Sequence, residues 1–254
     1  MAQATGSKFL RVCPDLFDAS ADMASEATPV ILARLAERAE RYDEMADFMK
    51  ERVEMSTPLD GEERDMFSAA FKGALTSRRR AVRVASGVEA QEKKGGNDAT
   101  AALASGYQAK VEAELHGICA TVLQLLTVNL IPSSTPGEAK TFYLKMQGDY
   151  HRYLAEVAQG DQRQRAAEDA KIAYGAGTSE AASLSSVHPV RLGLALNFSV
   201  FQHEVLGDTV GAVETAKAAL KAAADNFNEI PEESRNDAYL TIQLLQDNLA
   251  LWEA

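Results

Sequence analysis

The sequence predicts an all-α protein. Three observations lead there. Ala, Leu, Glu, Lys, Arg and Gln, the residues that sit best in helices, dominate the chain. The 7 Pro and 16 Gly are few and fall mostly between periodic segments, where they punctuate. No run alternates apolar and polar residues at the strand period of two. With 254 residues, 46% of them hydrophobic, the chain can bury a substantial core without disulfide or metal staples.

The breaks fix the elements in order. Ser56 to Gly61, Gly95-Gly96, Pro132 to Gly137, Gly160-Asp161, Gly175 to Gly177, His188-Pro189, Gly207-Asp208 and Glu229 to Glu232 leave nine helices, over residues 28–40, 42–56, 61–94, 98–130, 137–159, 162–174, 189–206, 209–225 and 231–252. Asp60 before Gly61-Glu62-Glu63 reads as an N-cap followed by acids in a first turn, and Asp208 opens a similar start. Short connections make each helix lie antiparallel to the next. Residues 1–27, with Pro14 and mixed polarity, show no clear caps and read as a partly disordered N-terminal extension; residues 28–254 form the domain.

Charge and motifs exclude several functions. A net charge of −11 opposes general binding to nucleic acid or anionic membrane, though it allows a local basic site. Cys13 and Cys119 make no disulfide framework and no zinc spacing, as expected of reduced thiols in the cytoplasm. The N-terminus lacks the apolar core of a secretory signal. The most apolar stretch, Ile118 to Ile131, is short and interrupted by Thr121, Gln124, Thr127 and Asn129, so it reads as a buried helix. The four His form no Glu-x-x-His pair, and there is no phosphate loop, dinucleotide motif or nucleophile elbow. No catalysis, cofactor or metal is expected. The absence of a 34-residue period argues against a helical-repeat scaffold for unmodified peptides.

Four segments carry the chemistry. In the third helix Lys72, Arg79 and Arg83 stand at i, i+7 and i+11, within about 40° of one another on one face. In the fifth, Arg152 and Tyr153 offer a guanidinium fork and a phenol, both suited to phosphate oxygens. His188 to Phe201 is too apolar for a surface helix, yet it carries Asn197, which needs a hydrogen-bond partner. In the last helix Leu240, Leu244, Asn248 and Trp252 recur every four residues. Singly these are ordinary solvated faces, salt bridges or core packing.

Together they resemble the 14-3-3 family, from about Leu32 to Trp252. Ala39 to Met45 is similar to the family's AERYDDM, and Phe142 to Glu156 to its FYLKMKGDYYRYLAE. His188 to Phe201 resembles HPIRLGLALNFSVF almost letter for letter, and Leu244 to Trp252 resembles LLRDNLTLW. The resemblance implies nine antiparallel helices forming a cup with an amphipathic groove, two cups forming a dimer, and an adaptor that binds phosphoserine or phosphothreonine segments of client proteins. The family's phosphate-binding residues match Lys72, Arg79, Arg152 and Tyr153, with Arg83 on the same wall. Asn197 and Asn248 match the residues that hold the guest's main chain; Leu196, Val200, Leu240 and Leu244 match the apolar wall; Glu204 and Trp252 match further groove positions. For the dimer interface the resemblance implies Leu35, Arg41 and Glu44 against the partner's Tyr107, Lys110 and Glu114, with Arg41 opposite Glu114 and Glu44 opposite Lys110. The partner is a second copy or a paralogue, and such exposed pairs set register more than strength.

A phosphoserine brings about −1.5 to −2 charges and three acceptor oxygens. An unphosphorylated serine would leave the cation cluster without a counter-ion, so discrimination is expected from both attraction and the cost of the empty cluster. The chain departs from the family pattern at Val82, where a Trp is usual, at Ala81, where many members carry a phosphorylatable Ser, and at Gln147 and Thr241 near the groove. Its N-terminal stretch is long, and a groove occluded by that stretch is the alternative to an open one.

Overall fold

The computed structural model describes residues 27–230 and 232–254. The expected extension, residues 1–27, lies outside them except for Ala27, whose carbonyl accepts from the Val30 N–H at the start of the first helix. Among the described residues there is no strand, and there are nine helices longer than a single turn. They are α1 (Thr28–Arg38), α2 (Tyr42–Glu54), α3 (Gly61–Lys94), α4 (Asp98–Leu125), α5 (Glu138–Val157), α6 (Gly160–Ala181), α7 (Pro189–Glu204), α8 (Thr209–Asp225) and α9 (Arg235–Trp252).

The predicted starts hold where side chains cap them. Asp60 Oδ1 accepts from the Glu63 N–H at 2.9 Å while Glu63 Oε2 accepts from the Asp60 N–H at 3.0 Å, a closed capping box at the head of α3. Asp208 Oδ1 accepts from the Gly211 N–H at 2.9 Å at the head of α8. Three boundaries differ from the sequence reading by three residues or more. α4 does not stop at residue 130: it passes through a π-helical turn, Leu126–Leu130, into a last turn, Ile131–Ser133. Pro132 has no N–H to give and crowds the carbonyl four residues back, and the wider turn before it accommodates both. α6 runs on to Ala181 through Gly175 and Gly177, which sequence alone takes as a break. A Cβ at Gly177 would lie 3.4 Å from Leu144 and Leu194, so this glycine lets helices approach closely. α9 begins at Arg235, after a 3-10 turn at Glu232–Ser234.

Each helix packs on its sequence neighbour, and α7 also packs on α5 and α9 on α7. The main core joins α1 to α5 through Met45, Met49, Phe67, Leu75, Leu115, Val122 and Leu126, all at most 1% exposed. Asp98–Ser133 is long and apolar enough to cross a membrane, but Cys119, Val122, Leu125, Leu126 and Leu130 from it lie in this core, as the buried-helix reading expects. The α2–α3 connection is clamped by Arg52, which makes a two-pronged pair with Glu63 (2.6 and 2.7 Å) and donates to the carbonyls of Thr57 and Pro58. A second core stacks Tyr174 of α6 on Phe198 and Phe201 of α7, centroids 5.4 Å apart in both cases. Gly148 makes room for it: a Cβ there would fall 2.7 Å from the Tyr174 ring. α5 is thus fixed from both sides, and it is the helix that carries the site.

Candidate functional site

The site is built on the C-terminal half of α5, with α3 on one flank and α7 on the other. Arg152 and Tyr153 are neighbours on α5, and Arg79 reaches them from α3. The Arg79 guanidinium lies over the Tyr153 ring at 4.3 Å from its centroid, and that of Arg152 lies 4.6 Å from the same centroid. One phenol ring therefore orients two cations by cation–π contact. Burial, first, and then the negative charge of Asp149 push the Tyr153 hydroxyl up to about 12, so it stays a donor at neutral pH.

Arg152 is 7% exposed, an unusual place for a charge unless it is paired. Its Nε donates to the Tyr174 hydroxyl at 3.3 Å, its Nη2 lies 3.7 Å from Asp149 Oδ1, and its Nη1 donates to Glu156 Oε1 at 2.9 Å. Burial works against its charge, but Tyr174 and Asp149 outweigh it and hold its pKa above the usual arginine range. Asp149 is the hub beneath. Its Oδ1 accepts from the Tyr174 hydroxyl (2.6 Å) and from Asn197 Nδ2 (2.8 Å), and its Oδ2 pairs with Lys145 Nζ (2.8 Å). Burial alone would raise the Asp149 pKa; Lys145 and Arg152 reverse that and hold it below the ordinary carboxylate value.

Glu156, one turn after Arg152, closes the cluster. Its Oε2 accepts from Arg79 Nη2 at 2.6 Å and its Oε1 from Arg152 Nη1 at 2.9 Å, so one carboxylate bridges both forks. This corrects the expectation that the empty cluster lacks a counter-ion: Glu156 supplies one from the chain itself. The satisfaction is incomplete, because Arg79 Nε is buried without a hydrogen-bond partner.

The other expected residues fall as follows. Lys72 is exposed on α3, two turns before Arg79, and rims a cleft with Tyr42 and Gly73. Arg83 is exposed one turn after Arg79. Asn197, as its half-buried position demands, is hydrogen-bonded, and the bond goes to Asp149. Asn248 is half-buried on α9. Leu196 and Val200 are half-buried on α7, while Leu240 (62% exposed) and Leu244 (42%) leave an apolar stripe in solvent on α9. Glu204 is exposed at the end of α7, and Trp252 stacks on His203 with centroids 5.0 Å apart.

The expected dimer residues lie on α1, at the head of α2 and on α4. Leu35 (53% exposed) and Tyr107 (55%) are exposed, as are Val84 (59%) and Leu103 (76%) on the neighbouring helices α3 and α4. A cleft of about 810 Å³ opens between α1, α3 and α4, lined by Tyr42, Thr76, Val84 and Tyr107 among others. Within the chain Arg41 pairs with Glu44, and Arg78 takes both Asp43 (2.6 Å) and Glu114 (3.2 Å); Lys110 is exposed.

Asp149, Glu156 and Tyr174 were absent from the expected set. Asp149, Arg152 and Glu156 stand at i, i+3 and i+7, one helix face, so an acid–base–acid stripe was readable in the sequence. Tyr174 has no such signal, since only the packing of α6 on α5 brings it there.

The chain matches the family model described as 14-3-3 protein over residues 32–253. It belongs to the 14-3-3 family. It is 49% identical over 227 residues to the 14-3-3-like protein G-BOX factor 14 kappa of Arabidopsis thaliana, covering 88% of this chain and 92% of that protein. Over 230 residues it is 45% identical to 14-3-3 protein 2 of Entamoeba histolytica, covering 91% and 97%. The 14-3-3-like protein B of Glycine max is 48% identical over 227 residues, with 88% and 92% covered. Proteins of the 14-3-3 family are adaptors, not enzymes, and membership supports the general role of a dimerising binder of phosphorylated client proteins.

Proposed function

We propose that this 14-3-3 chain is a phosphoserine- and phosphothreonine-dependent adaptor whose anion site is the Arg79–Arg152–Tyr153 cluster, with Lys72 and Arg83 extending the basic wall along α3. The observation that carries the reading is the convergence of two guanidinium forks from different helices over one phenol ring, at 4.3 and 4.6 Å. Such a pair matches a group with several oxygens and more than one negative charge. The rest of the groove serves the guest's backbone and apolar side chains. Asn197, its amide donating to Asp149, keeps its oxygen for a main-chain N–H, and Asn248 offers a second side-chain amide from α9. The exposed Leu240 and Leu244, with Leu196 and Val200, form the opposing apolar wall.

The protein acts in the cytoplasm as a dimer through the α1–α3–α4 face, with a second copy or a paralogue. There Arg41 would exchange its partner Glu44 for Glu114 of the partner subunit. The test is anisotropy of labelled Arg-Ser-Ala-phosphoserine-Ala-Pro on the wild-type protein and on Arg79→Ala. Binding that depends on the phosphate and is lost with Arg79 supports the reading; equal binding of the unphosphorylated peptide refutes it.

A further inference from the structure

Glu156 holds the position that a ligand anion needs. Each of its oxygens takes one fork, Arg79 Nη2 at 2.6 Å and Arg152 Nη1 at 2.9 Å. The two cations are fixed independently of it. Both lie over Tyr153, and Arg152 is also held by Tyr174 and Asp149. Glu156 itself is attached only at the last turn of α5 with 26% of its side chain exposed, so it can leave for solvent at small desolvation cost. What it offers is one charge and two oxygens, and Arg79 Nε stays buried without a partner.

From this we infer that Glu156 is a built-in competitor of the ligand anion and sets the threshold for recognition. The inference rests on the phosphate-site reading above. A guest carboxylate, from Asp or Glu in place of the phosphorylated residue, would only exchange one singly charged, two-oxygen acceptor for another, and it would lose the guest's freedom in doing so. A phosphate brings up to two charges and three oxygens, and it displaces Glu156 because it outweighs it. Glu156 thus lowers the affinity of every anion by the same factor, and a carboxylate, the weaker guest, is the first to fall below the threshold. The same element keeps the empty cluster paired, so the apo protein does not leave the buried Arg152 and the half-buried Arg79 without a shared counter-ion.

The experiment compares wild type with Glu156→Gln, which keeps the shape and removes the charge. Circular dichroism on thermal melting checks the fold of both. Three probes are used: fluorescein-labelled Arg-Ser-Ala-phosphoserine-Ala-Pro, the same peptide with Glu for phosphoserine, and inorganic phosphate. The inference predicts that Glu156→Gln binds the phosphopeptide roughly three- to tenfold tighter, the range of one or two partly exposed ion pairs released. It predicts the same relative gain for the Glu peptide, because the cost of displacing Glu156 is common to both guests, and tighter binding of inorganic phosphate by calorimetry. If wild type binds the phosphopeptide and Glu156→Gln binds both peptides no better, the inference falls while the phosphate-site reading stands; weaker binding would make Glu156 a support for the forks instead. If wild type fails to bind and Glu156→Gln binds, the inference stands in a stronger form. If neither binds the phosphopeptide, the phosphate-site reading falls, and inorganic phosphate still decides the competition: equal affinity for the two proteins overturns it.

Discussion

Tyr174→Phe removes one oxygen atom from the floor of the site. The hydroxyl is fully buried; it donates to Asp149 Oδ1 at 2.6 Å and accepts from Arg152 Nε at 3.3 Å. The ring, packed on Phe198 and Phe201, stays in place, so the change leaves no cavity larger than that atom. A hydrogen bond to a charged group contributes roughly 1.5–3 kcal/mol. Asp149 keeps Lys145 and Asn197, each at 2.8 Å, which places the expected loss near the lower half of that range, about 2 kcal/mol. For a chain of this size that lowers Tm by roughly 4–8 °C. Urea unfolding followed by circular dichroism measures it, both proteins being held at one protomer concentration because dimerisation couples to stability. A midpoint shift at constant m-value is expected. A loss below about 0.5 kcal/mol, the size of an ordinary surface change, would refute the hub role assigned to Asp149 and Tyr174.

Three more outcomes follow from the same geometry. Arg79→Ala removes one fork, and phosphopeptide affinity measured by anisotropy falls by at least tenfold, from about 1.5–3 kcal/mol for a charged hydrogen bond. Asp149 has its pKa held below the unfolded value of about 3.9, so its contribution to stability is full above that pH and is lost as pH falls through the depressed native value. Asp149→Asn should therefore be least stable relative to wild type near pH 7, with the two unfolding midpoints converging in strong acid; a gap independent of pH would contradict this. Leu35→Asp with Tyr107→Ala places a charge on, and removes an aromatic anchor from, the exposed face of α1 and α4, and light scattering after gel filtration should show the protomer mass instead of the dimer's.

The heads of α3 and α8 were legible because they carry local chemistry, the Asp60–Glu63 capping box and the Asp208 cap. The misread boundaries are those decided by tertiary contact. Gly175 and Gly177 look like breakers, but α6 continues because Gly177 faces Leu144 and Leu194 and the helix buries Ala170 and Tyr174. The turn at Leu126–Leu130 has one local signal, Pro132, which in the sequence reads as the start of a break and not as the cause of a wider turn. In the site, Arg79, Arg152 and Tyr153 were named from the sequence and their side chains meet in the structure. Glu156 and Asp149 were hidden in plain acidic spacing on α5, and Tyr174 was invisible until α6 was laid on α5.

The central claim is that the groove reads a phosphate. Its most direct test is titration of the wild-type protein with labelled Arg-Ser-Ala-phosphoserine-Ala-Pro beside its unphosphorylated twin, followed by anisotropy. Saturable binding of the phosphopeptide with no detectable binding of the twin is the predicted result. Equal binding of both, or binding of neither by a folded protein, would contradict it.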